Sequence, residues 1–124
     1  MIKLGIAGVY GKMGRRIFEL ACHDKDFEIT LALEKKGTPL IGKELGKIKI
    51  SSSPDGLFLV DVFVDFTTPE ATQGNLDYVA RYKKALVLGT TGLNDTQLKK
   101  LEEVSHVVPV VFSPNMSVGV NVLF

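Results

Sequence analysis

The 124-residue sequence predicts an α/β fold, a doubly wound, mainly parallel sheet with helices on both faces. Three observations predict it. Short apolar runs alternate with amphipathic segments along the chain, the pattern of right-handed β-α-β units. The strand-like runs are apolar at nearly every residue, as parallel strands buried on both faces are. A glycine-rich turn also stands between the first such run and the first helical segment, where nucleotide-binding sheets place one.

The elements follow in order. Residues 2–7 read as a strand. Met13, Ile17, Leu20 and Ala21 fall at i, i+4, i+7 and i+8 and predict the buried face of a helix. Residues 27–33 form a second strand, and 34–47, with several Gly and Lys and Pro39, a surface excursion. Ile48, Lys49 and Ile50 suggest a short strand. Ser53 caps a brief helical turn with Pro54 at its first position. After a strand over 61–66, either Thr67 or Thr68 caps the next helix, and Thr67 with Glu70 would make a capping box. Residues 85–88 are a buried strand. Asn94 and Gln97 open a third helix lined by Leu98, Leu101 and Val104. The last strand spans 107–112, where Pro109 points to an end or edge.

Composition narrows the class. The length suits one compact domain and is too short for two. Hydrophobic residues make up 45% and charged residues 23%, a globular balance. A net charge of +1 argues against a nucleic-acid partner, which needs a basic surplus on one face. Any anion site must be local. The single cysteine, Cys22, excludes an internal disulfide framework and fits a reducing compartment. His23 and His106 have no companions at ligand spacing, so no metal site is expected. Met1 runs straight into a strand rather than a signal peptide. No apolar run approaches the ~20 residues of a membrane helix. A cytoplasmic protein with no membrane partner is expected.

Gly8-Val9-Tyr10-Gly11-Lys12-Met13-Gly14 has G-x-x-G-x-x-G spacing, a relative of the dinucleotide fingerprint. Gly8 makes the tight turn, Gly11 admits backbone to a pyrophosphate, and Gly14 lets the helix approach the sheet. The helix N-terminus then offers amides to phosphate. Lys12, Arg15 and Arg16 either add local charge or are solvated. Glycines alone are a weak signal, but a strand before and a helix after supply the required context. Glu34 stands 20 residues beyond Gly14, the offset of an acid that accepts from the adenosine ribose. Its rival reading is an exposed loop glutamate. An acid favours the 2′-hydroxyl of NAD, whereas Lys35 and Lys36 favour the 2′-phosphate of NADP or are merely solvated. Asp65-Phe66-Thr67, Gly89-Thr90-Thr91-Gly92 and Ser113-Pro114-Asn115-Met116-Ser117 all leave carboxyl ends of strands, the ligand edge of a Rossmann-type sheet.

Ile-Ala-Gly-Val-Tyr-Gly-Lys-Met-Gly-Arg at 6–15, Ala-Leu-Glu at 32–34, Asp-Phe-Thr at 65–67, Gly-Thr-Thr-Gly at 89–92 and Ser-Pro-Asn-Met-Ser-Val-Gly-Val-Asn at 113–121 resemble, in this order, the bacterial dihydrodipicolinate reductases. These are the 4-hydroxy-tetrahydrodipicolinate reductases of the diaminopimelate–lysine pathway. The resemblance implies NADH or NADPH as cofactor and hydride transfer to a cyclic imine-type substrate. It places Gly8 to Met13 around the pyrophosphate, Glu34 on the adenosine ribose and Lys35 near a 2′-phosphate. Phe66 and Thr67 join the cofactor edge. Gly89, Thr90 and Thr91 lie beside the nicotinamide, with Ser113, Pro114, Asn115 and Met116 closing that side. Met116 stands where an aromatic residue is often found.

The resemblance also implies a substrate domain after residue 124 with a His-rich motif, and a homotetrameric full-length enzyme. No catalytic acid is assigned here. The apolar stretch over 118–124 predicts a partner segment or aggregation. The chain therefore reads as a truncated piece or a separately produced domain, inactive alone. Two alternatives remain: a stand-alone dinucleotide-binding or sensing domain, and another Rossmann reductase of an amino-acid derivative.

Overall fold

A computed structural model describes residues 1–113 and the backbone of Val122 and Leu123. Strands β1 (Ile2–Ala7), β2 (Phe27–Leu33) and β6 (Ala85–Leu88) have the predicted bounds. They alternate with helices α1 (Lys12–Cys22), α2 (Pro69–Tyr82) and α3 (Asp95–Ser105). The remaining strands are β3 (Glu44–Leu45), β4 (Ile48–Ser51), β5 (Val62–Asp65), β7 (Val110–Phe112) and β8 (Val122–Leu123). A 3-10 helix, Pro54–Leu59, precedes β5. The strand order is β3-β4-β2-β1-β5-β6-β7-β8. Every pair is parallel except the outermost two, β3 with β4 and β7 with β8.

Alternating residues of each strand feed two cores. Leu4 and Ile6 of β1 and Val64 of β5 meet Phe18 and Ala21 of α1 on one face. Ala7 and Phe63 meet Leu57, Leu76, Val79, Leu101 and Val104 on the other. Helices thus cover both faces, as doubly wound connections require. The chain leaves β1 toward β2 and later returns to β5 on the opposite flank of β1. The order reverses there, and a crevice opens at the carboxyl end of β1.

Local differences from the sequence reading have physical reasons. Leu20, expected to face the core, is 66% exposed, whereas Ala21 is buried as expected, together with Gly14 and Phe18. Close approach at Gly14 sets the helix rotation. Thr68, not Thr67, caps α2, accepting from the Ala71 N–H, because Thr67 is engaged elsewhere. The Asn94–Gln97 capping box forms reciprocally. Leu98, expected to line α3, is exposed, and Gln97 is buried in its place. The last strand starts at Val110, since Val107 and Val108 donate to the Val104 carbonyl and extend the end of α3. The excursion over 34–47 contains β3, turned back on β4 through Gly46 at φ +62°.

Candidate functional site

Sterics shape the turn after β1. Gly8 has φ +78°, and a Cβ on Gly14 would lie 2.1 Å from the Gly8 carbonyl oxygen. Only glycine at both positions lets α1 start directly against the turn. The Gly11 N–H donates to the Gly8 oxygen at 2.9 Å, tightening the loop. At the N-terminus of α1, Gly11 makes no side-chain cap and the first turn holds no acid. First-turn amides and the positive end of the helix dipole therefore suit an anion. Arg15 is turned aside, 5.8 Å from the Tyr10 ring centroid and 3.7 Å from Glu19. Lys12 and Arg16 are exposed.

Glu34 closes the same crevice from the end of β2. The Tyr10 N–H donates to its Oε1 at 2.9 Å, and its own N–H donates to the Ser51 carbonyl at 2.9 Å. Its second carboxylate oxygen has no hydrogen bond among the described residues.

A cleft of about 770 Å³ runs from this turn across the end of the sheet. Of the sequence candidates, Gly8, Gly11, Glu34, Lys35 and Thr67 line it. Val9 and Gly14 are buried beneath the turn. Tyr10, Lys12 and Met13 stand outside the lining, as do Gly89, Thr90 and Thr91. Phe66 lines a separate apolar cavity of about 350 Å³, between α1 and the Val64 and Val87 face of β5 and β6. Its ring lies against Gly89, where a Cβ would meet Phe66 Cε1 at 1.9 Å. Ser113 is buried and its N–H donates to the Leu88 carbonyl at 2.8 Å. Pro114, Asn115 and Met116 lie outside the described residues.

The sequence reading missed one wall of the cleft. Ala71, Gly74, Asn75 and Tyr78 of α2 line it, together with Ser52 and Pro54. Their spacing of i, i+3, i+4 and i+7 marks one helix face. Small residues at 71 and 74 beside a polar Asn were the available signal.

The second missed feature is a buried polar cluster beneath Thr67. Asp65, 1% exposed, accepts from the Thr67 N–H at 3.0 Å and the Thr67 hydroxyl at 2.6 Å. It also accepts from the Thr72 hydroxyl and Asn75 Nδ2, both at 3.1 Å. Thr72 and Thr90 share a hydrogen bond of 2.8 Å. Burial pushes the Asp65 carboxyl above the ordinary carboxylate range, against hydrogen bonds from Thr67, Asn75 and Thr72 that pull it down. Elsewhere, no group of three or more His, Cys, Asp or Glu side chains gathers among the described residues. No described helix is long and apolar enough to cross a membrane.

A family model described as "Dihydrodipicolinate reductase, N-terminus" matches residues 2–116. The chain belongs to this family. The 4-hydroxy-tetrahydrodipicolinate reductase of Chromohalobacter salexigens is 37% identical over 130 residues, covering 98% of this chain and 48% of that protein. The protein of the same name from Geotalea daltonii is 38% identical over 133 residues, covering 100% of this chain and 50% of its own. The chain thus spans about half the length of these dihydrodipicolinate reductase relatives. A dipicolinate-bound dihydrodipicolinate reductase from Paenisporosarcina sp. TG-14 superposes with a TM-score of 0.79 at 24% identity. That match covers 96% of this chain and 49% of that one and shares the Rossmann-type fold.

Proposed function

We propose that this chain is the dinucleotide-binding part of a 4-hydroxy-tetrahydrodipicolinate reductase and holds NADH or NADPH in the cleft at the end of β1. The observation that carries this reading is the cradle itself. Gly8 and Gly14 admit no side chain, and the uncapped N-terminus of α1 meets Glu34 across the same crevice. The amides at the start of α1 would hold the pyrophosphate. Glu34 would accept from the adenosine ribose through its unengaged oxygen, with Lys35 beside it for a 2′-phosphate. The wall of Ala71, Gly74 and Tyr78 would hold the adenine. Thr67 and the Gly89–Thr91 loop would frame the nicotinamide, with Ser113, Pro114, Asn115 and Met116 on the same edge.

When bound, the reduced nicotinamide supplies a hydride to the cyclic substrate. The chain's own residues bind and orient the cofactor. On this reading the partners are small molecules, the longer protein is a cytoplasmic homotetramer, and light scattering would read its mass. Calorimetric titration of the chain with NADH and NADPH tests the binding. Saturable uptake of at least one is expected, and uptake of neither at millimolar concentration would overturn the reading. Loss of reduced-nicotinamide absorbance on adding 4-hydroxy-tetrahydrodipicolinate to the longer protein tests the activity.

A further inference from the structure

Asp65 ends β5, and its donors come from three separate segments. Thr67 belongs to the turn after β5, Thr72 and Asn75 to α2, and Thr90 to the loop after β6. The link to Thr90 runs chiefly through Thr72. The direct Thr90 to Asp65 distance is 3.5 Å, at the margin of a hydrogen bond, against 2.8 Å between the two threonine hydroxyls. Thr90 Oγ1 also accepts from the Thr67 N–H at 3.2 Å. One buried carboxylate thus ties together two strand-end loops on the ligand edge of the sheet.

The donor count shows why a carboxylate is needed. The Thr67 amide, the Thr67 and Thr72 hydroxyls and the Asn75 amide all point hydrogens at it. An ionised carboxylate is acceptor-only and takes all of them. Apolar residues in place of a buried charge and its partners often stabilise a core. A charge kept here therefore points to positioning rather than to stability.

We propose that Asp65 is a positioning residue for the nicotinamide end of the cleft. It acts through Thr67, Thr72 and Thr90 to hold the turn after β5 and the loop after β6 in a single arrangement. This rests on the dinucleotide reading above. Thr67 lines the cleft, whereas Asp65 is buried and does not line it.

The test separates the two ends of the cofactor. ADP occupies the glycine turn and the Glu34 end alone, and NADH spans both ends. In Asp65→Asn, an amide nitrogen presents hydrogens to groups that themselves donate. NADH affinity should fall by about three- to tenfold, the scale of one lost hydrogen bond, with ADP affinity unchanged. Thr72→Val removes the bridging hydroxyl without entering the cleft and should show the same split, and Thr72→Ser should restore it. Equal losses for NADH and ADP in both variants would make the cluster merely structural and overturn the proposal. So would unchanged NADH affinity in both. If the unaltered chain binds neither NADH nor ADP, the cleft reading itself falls and takes the proposal with it.

Discussion

The Tyr10 N–H donates to Glu34 Oε1 at 2.9 Å, so one hydrogen bond ties the glycine turn to the end of β2. The acid expected to face the ribose therefore also braces the turn expected to face the phosphates. Glu34→Ala should lose both roles. A hydrogen bond to a charged acceptor contributes about 1.5–3 kcal/mol, so NADH affinity should fall at least tenfold. Glu34→Gln keeps an acceptor for Tyr10 and should keep the melting temperature while still weakening NADH. Thermal melts alongside calorimetry check the pair. Equal affinity losses for NADH and NADPH would show that Glu34 does not face the ribose.

Lys35 should act in the opposite sense. It is exposed on the cleft wall beside Glu34, where it should attract a 2′-phosphate and barely sense a neutral hydroxyl. Exposed charges are screened over about 8 Å at physiological ionic strength. NADPH affinity should therefore fall more steeply with added salt than NADH affinity. Lys35→Ala should flatten that difference, and parallel salt slopes in the unaltered chain would contradict it.

Gly14 leaves no room for substitution. A Cβ placed 2.1 Å from the Gly8 oxygen cannot be relieved by a rotamer change, because the obstacle is backbone. Gly14→Val should force α1 off the turn at a cost of about 2 kcal/mol or more. The melting temperature should drop by about 8 °C, and dinucleotide affinity should be lost with it. A variant that kept both would show that the turn and helix do not meet as described.

Asp65 gives a pH dependence of defined sign. Its carboxyl is raised above the ordinary 3.8 in the folded chain, so the folded state binds the proton more tightly than the unfolded state. Its contribution is then most favourable below the ordinary value and is lost as pH rises through the raised one. Its hydrogen-bond partners Thr67, Thr72, Asn75 and Thr90 do not titrate in this range. Urea unfolding of the unaltered chain and of Asp65→Asn across acid to neutral pH reads the difference. The stability of the unaltered chain relative to the variant should decline with pH above 3.8. A relative gain with rising pH would reverse the sign and refute the assignment.

Much of this fold is legible in the sequence because parallel strands are apolar on both sides and need no periodicity to be found. β1, β2 and β6 stand out on that ground. β3 does not, since a two-residue Glu44–Leu45 edge strand carries no pattern. The face of α1 was misread at Leu20 because glycine contributes nothing to a hydrophobic count, yet Gly14 sets the rotation of the helix. Glycine spacing and the Glu34 offset pick out one end of the cleft, which Gly8, Gly11 and Glu34 line. The α2 wall lies on one helix face, but its small residues at 71 and 74 carry no hydrophobic signal, and the Asp65 cluster was hidden because it assembles residues from three segments. Within the Asp65 cluster only Thr67 stands close in the chain, two positions beyond Asp65.

The central claim is that a dinucleotide lies across the glycine turn and against Glu34. Amide resonances of the isotopically labelled chain, followed by NMR during titration with ADP, test it most directly. Saturable shifts are expected, centred on Gly8 to Gly14, on Glu34 and Lys35, and on Ala71 and Gly74, with little change at Val62 or Val87. Shifts centred instead on the apolar cavity between α1 and β5, or none at saturating ADP, would contradict it.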